Sequence, residues 1–252
     1  REMSQSLDWM QRITTNLYGV VDMEHINIAE RIEGQLDTDL SFADGPILSW
    51  YRRFLPFIWV VIGVVYYFNS GVGNTIASFV FLGNLVLVGK YTSQVSEVQG
   101  RLSMMNTSIK SYIKVLKVIF DKQWKNQLMV RYYESLDHSE GHVPIASLSS
   151  LSKIINQLDY RLNLLVAIVG NGLLLWDLRV ISKISNWKNS NPDEVTKIFQ
   201  LIGRVEMMIS LSMWAYNHPE YSYPEIHDEY MRLDGIHMAH PLIPMGQNVA
   251  ND

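Results

Sequence analysis

The sequence contains no cysteine among its 252 residues. Disulfide bonds, thiol catalysis and cysteine-based zinc or iron–sulfur sites are therefore excluded, and a reducing compartment is allowed. Charge is also scarce, since Asp, Glu, Lys and Arg make up 18% of the residues, against roughly 25% in an average soluble domain. An aromatic content of 11% and a net charge of −4 are the wrong composition for intrinsic disorder.

Motifs of common active sites are missing as well. The sequence has no Gly-x-Ser-x-Gly and no His-Glu-x-x-His. Residues 83–91 superficially resemble a phosphate-binding P-loop, but five residues separate the glycines instead of four, and Tyr91 stands where a Ser or Thr would hold magnesium. We therefore predict that this chain holds no complete catalytic, metal or cofactor site of its own.

The longest stretch without charge is residues 54–89, which contain no Asp, Glu, Lys, Arg or His. Two apolar runs, residues 54–68 and 75–88, flank a polar, glycine-rich segment that is typical of a turn. As helices, the runs would each be roughly 21–23 Å long, which is short of the ~30 Å of a bilayer core. The pattern predicts an apolar helical hairpin that either inserts in a membrane or is buried in the core or at a dimer interface.

Aromatic and cationic residues stand at both outer ends of this hairpin. Trp50, Arg52 and Arg53 precede it, and Lys90 follows it. Such residues suit a membrane–water interface and place both ends on the cytoplasmic side. We therefore predict a cytoplasmic protein that is attached to the cytoplasmic face of the membrane if the hairpin inserts. The predicted membrane or interface residues are Trp50, Arg52, Arg53 and Trp59.

A basic segment follows the hairpin. Residues 101–131 carry seven Lys or Arg and one Asp, and residues 98–136 have the apolar spacing of one amphipathic helix approaching 40 residues. Lys110, Lys114 and Lys117 lie on its polar face. They could contact nucleic-acid phosphates, contact anionic lipid headgroups beside the hairpin, or form a solvated helix face.

Two more long helices are predicted further along the chain. Residues 148–184 keep helical spacing, and Gly170-Asn171-Gly172 predicts a kink in this helix. Between Arg161 and Asp177 the helix carries no charge, so we predict that its middle is buried on all sides. A third helix begins after Asn191 and ends before His218. Residues 220–252 hold three of the eight prolines and have weak periodicity, which indicates irregular structure or short strands.

The predicted fold is mainly α, with long antiparallel lever helices, an apolar helical hairpin and a short irregular or β C-terminal tail. The predicted domains are residues 1–217, with the hairpin at 54–89 as an insertion, and residues 218–252.

Four segments in the last third resemble MutS-family DNA mismatch repair proteins. Residues 203–212, with an acidic residue followed by a small-residue step, resemble the helix that closes the lever. The strand after that helix is resembled by Tyr223-Pro224-Glu225-Ile226. The family's His-Pro signature is resembled by His240-Pro241-Leu242-Ile243. The Val-x-Asn-Asp segment at the start of the ATPase is resembled by Asn248-Val249-Ala250-Asn251-Asp252.

The resemblance implies a core and lever fragment of a dimeric, DNA-binding ATPase, with residues 218–252 as the truncated start of the ATPase domain. In that family the P-loop follows a few residues after this segment, so ATP and Mg would bind in the full-length protein and not in this chain. Asn248, at the family's aromatic position, and Val249, through its backbone, would lie beside the adenine. A subset of MutS-like proteins carries an apolar pair of segments before the lever, which matches residues 54–89. The alternative is a membrane-anchored helical scaffold or interaction module without a nucleic-acid role.

Overall fold

The structure is a computed structural model, and it describes residues 2–21, 39–127, 129–131, 142–191, 194–219, 221–222, 235–240, 243 and 249. The chain divides into two compact units, Arg1–Tyr216 and Asn217–Asp252. The predicted mainly helical fold is confirmed, and the described ranges contain no β-strand. The α-helices are α1 (Leu7–Val21), α2 (Pro46–Phe68), α3 (Ser70–Phe120), α4 (His142–Asp159), α5 (Leu164–Leu174), α6 (Trp176–Ser190) and α7 (Glu194–Asn217).

Helices α2 and α3 form the predicted apolar hairpin, but the turn between them is a single residue. Asn69 is extended (φ −150°, ψ 97°), and its side chain accepts a hydrogen bond from the backbone N–H of Val72 at 3.1 Å. This N-cap starts α3 at Ser70, so the six-residue turn that the composition predicted at 69–74 is wrong. Gly73 then lies directly against the Tyr66 backbone, which brings the two helices together at the tip of the hairpin.

Helix α3 is continuous over 51 residues, about 76 Å at 1.5 Å per residue. It joins the second apolar run and the basic amphipathic segment into one rod. The amphipathic helix was predicted to reach residue 136, but it ends at Phe120, and residues 122–125 are not helical. Trp124 instead turns into the core, where its ring meets that of Trp9 edge-on at 5.1 Å.

The carboxylate of Glu2 stabilises this exit from α3. It accepts hydrogen bonds from the backbone N–H groups of Lys125 and Asn126 at 2.8 and 2.7 Å. These bonds, led by the one from Lys125, lower the pKa of Glu2.

The second long helix predicted over residues 148–184 is broken into α4, α5 and α6. Asn163 begins α5 by accepting backbone hydrogen bonds from Leu165 and Val166. Leu175 adopts a left-handed conformation (φ 53°, ψ 48°), which bends α5 against α6 by 79°. The kink therefore lies three residues after the predicted glycines.

The core of the first unit forms where the second half of α3 packs against α1 and α4. Gln99 bonds Asp159, and Asn106 bonds Ser152, in opposite order along the two helices, so α3 and α4 run antiparallel. Fully buried side chains from α1, α3, α4 and α6 include Ile13, Leu102, Ile109, Leu116, Ile155 and Leu178. The core thus lies beyond the hairpin, along the basic half of α3.

The second unit has few described residues. Within it, the rings of His218 and Tyr221 stack with centroids 4.7 Å apart. The irregular or β tail and its assignment to an ATPase domain stay predictions.

Candidate membrane-contacting surface

The apolar hairpin exposes its side chains outward. Phe79 and Val86 on α3 are 74% and 76% exposed, and Phe57 and Val60 on α2 are each 65% exposed. Both helices are long and apolar enough to cross a membrane, with about a fifth of their most apolar windows buried. An exposed apolar surface of this extent marks a site of contact with lipid or protein. Most of the hairpin's surface therefore lies outside this chain's own core, to which the hairpin contributes Leu55 and Val88.

For α3, the structure removes the length shortfall that the sequence predicted. Because α3 begins at Ser70, its charge-free part covers residues 70–89. Those twenty residues span about 30 Å, the thickness of a bilayer core. Helix α2 is 23 residues long, but Arg52 and Arg53 interrupt it, and its charge-free part, residues 54–68, spans about 22 Å.

Two polar side chains of the hairpin, Asn84 and Trp59, bond groups of this chain. Asn84 is fully buried, accepts a hydrogen bond from the Tyr51 hydroxyl at 2.7 Å and donates one to the carbonyl of Gly172 at 2.7 Å. The indole of Trp59 donates to the carbonyl of Leu173 at 2.6 Å. Trp59, a predicted interface residue, is thus half-buried against α5. The polar atoms of Asn84 and Trp59 therefore do not lie on the exposed apolar face of the hairpin.

Two neighbouring arginines at the base of α2 have opposite environments. Arg53 is exposed, whereas Arg52 is only 6% exposed and donates to the carbonyl of Leu178 and to the side chains of Asp44, Ser49 and Ser182. The prediction that Arg52 lies at an outer interface is therefore corrected: it ties α2 to α6.

Exposed residues still mark the outer end of the hairpin. Trp50 is 69% exposed, with its ring 4.2 Å from that of Phe54, and Arg53 and Lys90 are exposed. These three side chains have the amphipathic character of a membrane–water boundary.

Helix α5 is an apolar surface element that the sequence pattern did not predict. Leu164 and Leu165 are 71% and 73% exposed, so the prediction of a middle buried on all sides is wrong. The charge-free stretch between Arg161 and Asp177 was the sequence signal for this surface, because side chains that contact lipid are as apolar as side chains in a buried core. The bent pair α5 and α6 passes the same length and hydropathy test as one broken or re-entrant span.

The predicted phosphate-contacting lysines lie together on the outer face of α3. Lys110, Lys114 and Lys117 are all exposed. Lys110 donates to the side-chain oxygen of Asn156 at 3.3 Å. No described carboxylate lies within ion-pair distance of any of the three.

The carboxylate of Glu206, the acidic residue within residues 203–212, lies near the basic half of α3. It lies on α7 beside the buried Tyr112 of α3, whose ring also meets Phe199 edge-on at 4.9 Å. Partial burial raises the pKa of Glu206, and burial together with this carboxylate raises the pKa of Tyr112.

Of the two residues expected beside a nucleotide, the structure describes only Val249. Asn248 lies outside the described residues, and Val249 is 80% exposed. Within the described parts of the chain, no group of three or more His, Asp or Glu could hold a metal ion.

Comparisons with protein-family models, curated proteins and solved structures found no match to this chain.

Proposed function

We propose that this chain is the membrane-anchored core and lever of a MutS-like, DNA-binding ATPase. The observation that carries the proposal is the continuity of α3, which runs without a break from an exposed apolar half to an exposed lysine face. One rigid rod thereby joins a membrane anchor to a helical bundle with a phosphate-binding face.

The anchor is the hairpin of α2 and α3. Its exposed apolar side chains and the charge-free span of about 30 Å in α3 fit a bilayer core. Arg53 and Lys90 at its open end place the remainder of the chain on the cytoplasmic side.

The position of the lysines favours nucleic acid over lipid headgroups. Along α3, Lys110 lies twenty residues beyond Lys90, which is about 30 Å in a continuous helix. The headgroup layer adds only roughly 5–8 Å to each side of the hydrocarbon core. A helix that stands in the membrane therefore holds Lys110, Lys114 and Lys117 well clear of the headgroups, where DNA phosphates can reach them.

The assignment to a MutS-like protein rests on the resemblance of residues 203–212, 223–226, 240–243 and 248–252. In such a protein, ATP and Mg would bind in the ATPase domain, with Asn248 and Val249 beside the adenine. Rotation at the nucleotide site would move α7, and the long helices would carry that motion toward the DNA contact. This chain itself would have no catalytic residue, and the longer protein would act as a homodimer.

The experiment is an ATP-binding and hydrolysis assay on the longer protein that contains this chain, reconstituted in vesicles. We expect saturable Mg-dependent ATP binding and a hydrolysis rate that changes when duplex DNA is added. Absence of ATP binding by the folded longer protein would contradict the MutS-like assignment.

A second function, a membrane-anchored helical scaffold without a nucleic-acid role, is favoured by the exposed apolar surface of α2, α3 and α5, which an anchor alone explains. The two functions differ in DNA binding by this chain. A chain that inserts in vesicles but does not retain duplex DNA at low salt would be the scaffold.

A further inference from the structure

Helix α5 has the length and composition of an element that enters one leaflet of a bilayer. It comprises 11 residues without charge, about 16 Å, which is half of a bilayer core of about 30 Å. Most of its apolar side chains face outward, including Leu164, Leu165, Ile168 and Val169.

Contacts with α3 show how α5 lies relative to the hairpin. Arg161, just before α5, donates to the Ser96 hydroxyl of α3 at 2.8 Å and to the carboxylate of Asp177, just after α5, at 3.0 Å. At the other end, the carbonyl of Gly172 accepts from Asn84 at 2.7 Å. The C-terminal end of α5 therefore lies at the level of Asn84, six residues or about 9 Å along α3 on the apolar side of Lys90, and beside Trp59 of α2.

The C-terminal carbonyls of α5 are all bound by protein donors. Side chains cap three of them: Asn84 of α3 at Gly172, Trp59 of α2 at Leu173 (2.6 Å) and Arg179 at Leu174 (2.6 Å). The backbone N–H of Leu175 bonds the carbonyl of Asn171 at 3.1 Å.

A helix that ends in water can leave its last carbonyls to the solvent, whereas a helix that ends in hydrocarbon needs a protein donor for each. Two of the donors here come from the spanning helices themselves. In the first turn of α6, the backbone N–H of Asp177 is bound by the side-chain oxygen of Asn171 at 2.9 Å.

We propose that α5 is a re-entrant helix, which enters the leaflet at the Arg53 and Lys90 end of the hairpin, contacts lipid acyl chains through its exposed face, and returns through the bend at Leu175. This inference rests on the proposed membrane anchor, and it adds a third lipid-contacting element to it. Continuity with the exposed face of the hairpin, the capped carbonyls and the half-bilayer length all point to acyl chains as the occupant.

The absence of cysteine makes a labelling experiment direct. Single variants Phe79→Cys, Val169→Cys and Met104→Cys of the full chain, each at an exposed side chain, carry an environment-sensitive fluorophore. Each protein is reconstituted in phosphatidylcholine vesicles that contain lipids with a nitroxide quencher either near the headgroup or near the middle of the acyl chain. Leu165→Cys gives a second position on α5, and helical content in detergent checks that every variant is folded.

We expect quenching at Phe79 mainly by the deep nitroxide, quenching at Val169 mainly by the shallow nitroxide, and none at Met104. Quenching at Phe79 without quenching at Val169 or Leu165 would overturn the re-entrant helix and leave the anchor intact. Absence of quenching at all positions would contradict the anchor as well. A blue-shifted but unquenched label on α5 would mean that protein, for example a second copy, covers this face, and would also overturn the inference.

Discussion

Gly73 of α3 lies so close to Tyr66 of α2 that a Cβ added to it would be 2.4 Å from the Tyr66 Cα. The obstacle is backbone, so the hairpin tip must open to accept any larger residue. We expect Gly73→Ala to lower the free energy of unfolding in detergent by about 1–3 kcal/mol. Gly83→Ala, on the same helix with open space around it, is the matched control, and it should be neutral or stabilise by up to about 1 kcal/mol. Equal effects of the two variants would show that the helices do not approach at Gly73.

The neighbours Arg52 and Arg53 provide a second matched pair. Arg52→Met leaves the Leu178 carbonyl and the Asp44 carboxylate without their guanidinium partner, so we expect a loss of about 3 kcal/mol in unfolding free energy. Arg53→Met removes an exposed cation and should change stability by less than about 0.5 kcal/mol. Chemical denaturation in detergent measures both, and similar losses would argue against the buried role of Arg52.

The lysine face of α3 is tested by salt dependence. Replacing Lys110, Lys114 and Lys117 with Gln should weaken duplex binding and reduce the slope of log K against log[salt] by roughly 0.9 for each DNA phosphate that a lysine no longer neutralises. Binding isotherms at several salt concentrations give the slope. The control replaces three exposed lysines on other helices, Lys153, Lys183 and Lys197, and should leave the slope unchanged. If both triple variants behave alike, the face on α3 has no special role in DNA binding.

Glu206 gives a prediction about pH. Its pKa is raised in the folded protein, so folding favours the neutral carboxyl, and the ionised form is penalised at neutral pH. The penalty is absent below the ordinary value of 4.5 and grows as pH rises through the folded pKa. We expect Glu206→Gln to raise Tm at pH 7.5 and to match the parent protein near pH 4. A variant that lowers Tm at neutral pH would contradict the raised pKa.

Local composition was sufficient to predict the hairpin and the basic helix. A helix that contacts lipid has to lack charge, as residues 54–89 do. A helix that packs on a core needs apolar residues at regular spacing, as the residues after 98 have. The turn length was wrong because Ser, Gly and Asn favour turns in isolation. Here the Asn69 cap and the close approach of Gly73 to Tyr66 keep that segment helical.

Contacts between residues far apart in the sequence explain the features that local sequence patterns could not predict. Arg52 and Arg53 look equivalent along the chain, and only packing against Leu178 and Ser182, more than 120 residues away, separates them. The exposure of α5 could not be predicted because burial and lipid contact select the same apolar side chains. The end of α3 at Phe120 depends on contacts of Trp124 and Lys125 with the first nine residues, which periodicity does not report.

The central claim is that the hairpin spans a bilayer, and charge placed at its middle tests this most directly. Val60 and Phe79 are exposed near the centres of the two apolar runs, whereas Met104 and Met207 are similarly exposed outside them. A Lys at the membrane centre costs roughly 2.5–3.5 kcal/mol of insertion free energy.

The measurement is the fraction of chain that floats with phosphatidylcholine vesicles after an alkaline wash. We predict that the double variant Val60→Lys and Phe79→Lys loses most of its vesicle-bound fraction, while Met104→Lys and Met207→Lys keeps that of the parent chain. Equal flotation of the two double variants, or a parent chain that does not float, would contradict the account.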